Sequence, residues 1–263
     1  MATVPAKVSK RFIDSIKRFK PIVTKARDKD VNESDTVAII LDIMAEVFGY
    51  DKYTEITSEF AVKKTFCDLA IKLNGQPKLL IEAKAAGLNL KEQFIKQAVD
   101  YGSNSGIEWV ILTNAVDWKV YRIIFGKPVV SELVYEFDFT EINTKKDSDL
   151  ELLYYLSKEA MSKTGKASLD EYHSHKQVIN KFMVSQVLLS EPVLDAIRKT
   201  FKKISVDAKG TNEEIYRIIK DEIIKRDVLD DDRTTAAKKA VTKALNSSAK
   251  KVEKHTEAAA EEG

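Results

Sequence analysis

Three charged residues, Asp68, Glu82 and Lys84, interrupt or end segments that are otherwise apolar. Residues 79–87 read LLIEAKAAG, so that Glu82 and Lys84 stand two residues apart at the end of an aliphatic run. An unpaired carboxylate or ammonium group costs on the order of several kcal/mol when it is buried in apolar surroundings. These side chains therefore either emerge into solvent or belong to a site whose chemistry requires them.

Two carboxylates and an ammonium group that converge at strand ends predict a site for a divalent cation. Without a cation, Asp68 and Glu82 repel each other and at least one carboxyl pKa rises; a cation offsets their charge. Carboxylate oxygens with retained waters suit Mg²⁺, with Mn²⁺ as a substitute. Such an ion polarises a phosphoryl oxygen and lowers the pKa of a bound water, while Lys84 orients that water or stabilises charge on the phosphate. The pattern thus predicts phosphodiester hydrolysis.

The elements that must position these residues can be read from the periodicity of the sequence. We expect a helix over 6–29, a second helix from a cap near Asn32 to Gly49, and a third over 90–102. Strand-like segments are expected at 54–60, 66–73, 78–84, 108–114, 117–125 and 129–139. This order predicts an α/β fold in which a mixed β-sheet is flanked by helices.

The register of the second and third strands decides whether Asp68 and Glu82 share a face of the sheet. In an antiparallel hairpin the numbers of opposed residues have a constant sum, and the two acids share a face only if that sum is even. A two-residue Asn74-Gly75 turn gives an odd sum of 149, whereas a three-residue loop that ends at Gly75 gives 148. We expect the three-residue loop, or a bulge that has the same effect.

Four segments are expected along the chain. Residues 1–29 form a basic helical segment, 30–140 the sheet domain, 145–229 an α-helical C-terminal domain, and 230–263 an Ala, Lys and Glu rich tail that is helical or disordered. His173 and His175, in a polar connector, are expected to be solvated rather than to bind a metal ion.

Composition excludes several classes of protein. The chain has 263 residues and 44% apolar residues, with no uncharged apolar stretch long enough for a membrane helix. Cys67 is the only cysteine, so a disulfide framework is excluded, and the N-terminus lacks the apolar segment of a signal peptide. These features predict a cytoplasmic protein with no membrane partner.

The basic N-terminal segment is a candidate for contact with DNA. Residues 1–29 hold nine Lys or Arg against two Asp, a net charge of 9 minus 2, or +7. Lys10, Arg11, Lys17 and Arg18 are the candidate phosphate-binding residues. The alternative is an ordinary solvated helix face, which a charge run alone does not exclude.

One pattern in this sequence resembles the active site of the PD-(D/E)XK nuclease superfamily. It consists of Asp68 followed, at the end of the next apolar strand, by Glu82-Ala83-Lys84. The segments NESDTVAIILDIMAEVFGYD, FCDLAIKLNGQPKLLIEAKAAGLNL, QAVDYG and WVILTNAVDWKVY resemble the N-terminal nuclease domain of type I restriction enzyme R subunits over roughly residues 30–125. The resemblance adds Gln97 and Tyr101, four apart on the helix after the Glu-x-Lys strand, and Glu33 as an additional acid that supports the metal.

The resemblance implies a restriction-endonuclease-like fold and an Mg²⁺-dependent DNA endonuclease in restriction or DNA defence. Asp68, Glu82, Lys84, Gln97 and Tyr101 would be the catalytic residues. DNA is the expected partner, with a homodimer or other restriction-system subunits as protein partners. This sequence contains no GxxxxGK[ST] phosphate loop, so we expect no ATP site in it. The alternatives are a catalytically silent DNA-binding or assembly module on the same fold, and a DNA repair or recombination nuclease.

Overall fold

The structure, a computed structural model, describes residues 3–62, 65–162, 168–205 and 210–261. The chain divides into two compact units, Met1–His173 and Ser174–Gly263. The residues of the expected nuclease site all lie in the first unit.

The first unit is built on one six-stranded sheet. Its order is β1-β2-β3-β4-β5-β6, with every neighbouring pair antiparallel except β3 and β4, which are parallel. The strands are β1 Ile56–Val62, β2 Thr65–Leu73, β3 Gln76–Ala83, β4 Trp109–Thr113, β5 Asp117–Ile124 and β6 Val130–Asp138. A parallel pair needs a crossover connection, and a helix between β3 and β4 supplies it.

Helices cover both faces of the sheet. The helices of this unit are α1 Ala6–Asp28, α2 Glu33–Glu46, α3 Ile95–Ser105, α4 Asp147–Tyr155, α5 Lys158–Met161 and the first half of α6 Ser168–Val178. A 3-10 turn at Glu92–Phe94 precedes α3. One face packs on α1, α2, α4 and α5, and its core includes Phe12, Ile40 and Trp118. On the other face α3 packs across β2, β3 and β4, and its core includes Leu80 and Tyr101. Because both faces are covered, the central strands read as nearly continuous apolar runs.

The hairpin between β2 and β3 differs in detail from the expected one. Asn74 and Gly75 both have positive φ, 52° and 74°, which is the signature of a two-residue type I′ turn, and Leu73 pairs with Gln76. The three-residue loop is therefore wrong. A bulge between Ile71 and Lys72 then shifts the register so that Leu69 lies opposite Ile81, an even sum of 150. The expected alternative, a bulge that brings the two acids to one face, is confirmed.

The second unit is helical. Its elements are the end of α6, α7 Lys181–Leu188, α8 Glu191–Ile204, α9 Asn212–Ile218 with a π-helical turn at Ile219–Ile223, α10 Arg226–Leu229 and α11 Asp232–Glu261. Two small apolar clusters stabilise it, one around Phe182 and Val228 and the other around Leu194 and Ile215.

The predicted fold class, a mixed sheet flanked by helices and followed by a helical region, is confirmed. The domain boundary lies later than the expected one at residue 145. Leu153, Tyr154 and Leu169 are fully buried in the core of the first unit, so α4, α5 and the start of α6 belong to the sheet domain. Across the described part of the chain, no helix combines the length and the apolar character that a membrane span requires.

Candidate active site

Asp68 and Glu82 lie side by side on the face of the sheet that packs against α3. Leu69 is paired with Ile81, so the next position places Asp68 opposite Glu82. Strand side chains alternate, and these acids share the face of Ala70 and Leu80, which pack in the α3 core. The bulge at Ile71/Lys72 is thus the local feature that brings the two carboxylates together.

Hydrogen bonds connect these carboxylates to the end of β3. The Ala83 backbone N–H donates to Asp68 Oδ2 at 2.7 Å. Lys84 Nζ donates to Glu82 Oε1 at 2.8 Å and to the Ala83 carbonyl oxygen at 2.7 Å. It also reaches Glu33 Oε2 at 3.4 Å. The structure therefore brings four of the predicted site residues, Asp68, Glu82, Lys84 and Glu33, into one cluster.

Burial dominates the electrostatics of this cluster. The Glu82 side chain is 7% exposed and that of Lys84 14%, whereas that of Glu33 is 48% exposed. Burial raises the pKa of Asp68, against the opposing effect of the Ala83 hydrogen bond. Burial also raises the pKa of Glu82, against its hydrogen bond with Lys84. The pKa of Lys84 is raised because the carboxylates around it, Glu82 first, outweigh the lowering effect of burial.

The donor set at this position fits a hard divalent cation. The Asp68 and Glu82 carboxylates and the Ala83 carbonyl meet at one strand end, and oxygen donors of this kind, completed by water, suit Mg²⁺ or Mn²⁺. Burial is the first cause of the raised pKa of both carboxyl groups, and a bound cation would offset the cost of keeping them ionised there. Among the residues that the structure describes, no group of three or more His, Cys, Asp or Glu side chains forms a metal-ligand cluster. Glu33 contacts Lys84, and its support of the metal stays a prediction.

Glu33 owes its position to the start of α2. Asn32 caps this helix by accepting a hydrogen bond from the Asp35 backbone N–H at 3.0 Å, and Glu33 is the first helical residue. The segment after Lys84 packs on the same turn, because the Ala86 N–H donates to the Val31 carbonyl at 3.0 Å. The α1–α2 connection therefore holds both Glu33 and the chain that leaves β3.

Asn114 is a positioning residue that the sequence reasoning missed. Its side chain is 3% exposed, and its Nδ2 donates to the Leu88 carbonyl at 2.9 Å. Its Oδ1 accepts from the N–H groups of Val116 and Asp117 at 3.0 and 2.7 Å. One amide thus fixes the β4–β5 turn and the loop after Lys84. The pattern Asn-Ala-Val-Asp, an Asx-type turn after an apolar strand, was the available signal.

We expect Asn114→Ala to lower the free energy of unfolding by about 1–3 kcal/mol, because it leaves a buried carbonyl and two N–H groups without their partner. Thermal unfolding followed by circular dichroism measures this change. Asn104→Ala is the control, because Asn104 is exposed and its amide donates within its own helix, to the Asp100 carbonyl at 2.7 Å. An Asn114→Ala variant as stable as wild type would show that Asn114 does not hold this loop.

Gln97 and Tyr101 lie one turn apart on α3, as expected. Tyr101 is 2% exposed and belongs to the apolar core between α3 and the sheet, whereas Gln97 is exposed. Their contact with a substrate phosphate stays a prediction.

The basic residues expected to bind DNA divide into two groups. Arg11 is structural: its guanidinium pairs with Glu159 at 2.6 and 2.7 Å, and its Nε donates to the Val47 carbonyl at 2.9 Å. Arg18 is ion-paired with Glu46. Lys10 and Lys17 are exposed, so these two lysines carry the remaining prediction of phosphate contact by α1.

Two further residues have structural roles. Cys67 is fully buried, and its burial raises the thiol pKa to about 12, which keeps it protonated and unreactive. His173 is 8% exposed and bridges Arg122 and Glu132 at 2.9 and 3.0 Å, so the expectation that it is solvated is wrong. His175 is exposed.

The comparison with protein families matches a segment that holds most of the site just described. Residues 39–150 match the type I restriction enzyme R protein N terminus. The resemblance inferred from the sequence is confirmed. The matched R-protein segment contains Asp68, Glu82, Lys84, Gln97 and Tyr101, whereas Glu33 and α1 lie before it. No match was found among curated proteins or among solved structures.

Proposed function

We propose that this chain is an Mg²⁺-dependent DNA endonuclease of a restriction or DNA-defence system. The observation that carries the proposal is the cluster at the end of β3, where Asp68 and Glu82 lie side by side with Lys84 hydrogen-bonded to Glu82 and Ala83. The relation of residues 39–150 to a restriction-enzyme R protein supports the restriction setting and the choice of DNA.

Each side chain has a distinct task in this proposal. Asp68 and Glu82 would hold a divalent ion, which supplies Lewis-acid activation of a phosphoryl oxygen and of a water molecule. Lys84, held by two acceptors, is oriented to stabilise negative charge that develops on the phosphate. Glu33 supports Lys84 from the solvent side. Gln97, on the exposed side of α3, would position the substrate phosphate.

Two other functions are compatible with the same fold. A silent DNA-binding or assembly module would need the fold but not two adjacent carboxylates, one buried and one half-buried, whose ionised forms burial destabilises. A repair or recombination nuclease would use the same residues, and the restriction-enzyme match favours restriction. We propose a cytoplasmic location, with other restriction-system subunits or a second copy of the chain as protein partners.

The deciding experiment is cleavage of plasmid and short oligonucleotides by the purified chain in Mg²⁺, in Mn²⁺ and in EDTA, each with and without ATP. We expect cleavage that needs the divalent ion and does not respond to ATP. Glu82→Gln, which removes the charge and keeps the shape, is the matched inactive control. Cleavage in EDTA, or equal cleavage by Glu82→Gln, would contradict the proposal.

A further inference from the structure

The long helix α11 has one buried side and one cationic side. Ala237 and Val241 are buried in the second unit, where α11 packs on α7. Lys239 and Lys243 each stand two residues from Val241, which in a helix of 3.6 residues per turn is the opposite side. Lys238 is exposed beside them. We call Lys238, Lys239 and Lys243 the α11 lysine face.

This face has no internal charge compensation. Within the part of the chain that the structure describes, none of its three lysines forms an ion pair, whereas nearby Arg233 and Lys181 pair with Asp231 and Asp227 at 2.7 and 3.1 Å. Residues 233–252 contain no Asp or Glu, and their basic residues are Arg233, Lys238, Lys239, Lys243, Lys250 and Lys251. Like charges four apart, such as Lys239 and Lys243, destabilise a helix. An anionic partner would remove this cost.

The surroundings of the lysines favour a nucleic acid over a membrane surface. The exposed positions between them are small or polar, such as Thr235, Ala240 and Asn246, and α11 contains no aromatic residue. A helix that lies in a membrane interface needs an apolar face of several large side chains beside its cations, whereas Leu245, 38% exposed, is a single one. Lysines act on phosphate as exposed point charges, which is the mode of contact that releases counterions from DNA.

The dimensions also suit a phosphate backbone. Lys238, Lys239 and Lys243 line an open cavity of about 740 Å³ together with the Asn246 amide. From residue 238 to residue 243 the helix axis rises about 7.5 Å, at 1.5 Å per residue. This length corresponds to roughly two successive phosphates along one strand of a duplex, at 3.4 Å each.

We propose that the α11 lysine face binds the sugar-phosphate backbone of DNA without reading its sequence. The choice of DNA rests on the proposed function, while the phosphate contact rests on the charges of α11. This gives the second unit a role in holding substrate that is separate from the chemistry at Asp68 and Glu82.

The test is a titration of fluorescent duplex DNA, followed by anisotropy in EDTA over a series of salt concentrations. The full chain is compared with K238Q/K239Q/K243Q and with a control of equal charge loss, K78Q/K145Q/K146Q, whose lysines are exposed on the first unit. We expect the α11 variant to bind at least about tenfold more weakly at physiological salt, and its log–log salt slope to fall by about 2–3, since each phosphate contact contributes about 0.9. The control should bind as wild type does. Circular dichroism confirms that each variant is folded.

Several outcomes would overturn the inference. One is an unchanged salt slope in the α11 variant, and another is an equal loss of binding in the control. A third is lysine-dependent binding to anionic vesicles without binding to DNA. A chain that binds through α11 but never cleaves DNA would contradict the proposed nuclease and leave this inference standing.

Discussion

Asp68→Asn should abolish metal-dependent cleavage, by at least about 100-fold, without lowering the melting temperature in EDTA. The amide keeps an oxygen that can accept the hydrogen bond from the Ala83 N–H. The substitution removes one of two adjacent carboxylates, of which Glu82 is buried and Asp68 half-buried. Because the pKa of Asp68 is raised in the folded protein, its ionisation costs stability as the pH rises above the ordinary carboxyl range. At neutral pH the metal-free variant should therefore be as stable as wild type or more stable, and this advantage should disappear on acidification.

The measurement is a set of thermal melts of wild type, Asp68→Asn and Asp68→Ala, each in EDTA and in Mn²⁺. Mn²⁺ should raise the melting temperature of wild type by mass action on the folded state, and should raise that of both variants much less. Asp68→Ala also removes the acceptor of a buried N–H and should melt below Asp68→Asn, by about 1–3 kcal/mol in free energy. If Asp68→Asn melts well below wild type in EDTA yet keeps the full Mn²⁺ response, Asp68 is structural and not a metal ligand.

The positions of the strands and the shared face of the two acids could be predicted from the sequence because both follow from side-chain alternation. Asn74-Gly75 is a strong turn signal, but it gives the wrong parity by itself. The bulge at Ile71/Lys72 restores the parity. The position of a bulge depends on how both faces of the sheet are packed, which the sequence does not show. A bulge could therefore be predicted only as one of two ways to bring the two acids to the same face.

The ion-pair partners of charged residues could not be predicted from the sequence, because they depend on contacts between residues far apart in the chain. Arg11 reads as part of a basic stretch, yet its partner Glu159 is 148 residues away. His173 reads as part of a polar connector, but α6 carries it to Arg122 and Glu132. The same packing of α4 to α6 on the sheet moved the domain boundary beyond residue 145.

Lys84→Met should also abolish cleavage, but its stability should change in the direction opposite to that of Asp68→Asn. Methionine has a similar length and no charge, so the variant leaves the Glu82 carboxylate, 7% exposed, without its ion-pair partner. Removing one member of a buried pair costs about 3–5 kcal/mol, and the metal-free variant should melt well below wild type. The raised pKa of Lys84 also indicates that its charged form stabilises the fold. At neutral pH, which is below that pKa, wild type has this stabilisation and the variant lacks it.

The response to metal then separates two roles of Lys84. In wild type the ammonium group occupies Glu82 Oε1 and the Ala83 carbonyl, two oxygens that a divalent ion would use. Without it, Mn²⁺ becomes the only cation for both carboxylates, so Mn²⁺ should raise the melting temperature of Lys84→Met by more than it raises that of wild type. Lys84→Arg, which keeps the charge, should stay close to wild type in EDTA. If Lys84→Met cleaves DNA at saturating Mn²⁺, Lys84 only stabilises the site. If Mn²⁺ instead raises the melting temperature of Lys84→Met less than that of wild type, Lys84 does not compete with the ion. The proposed metal position at the end of β3 would then be wrong.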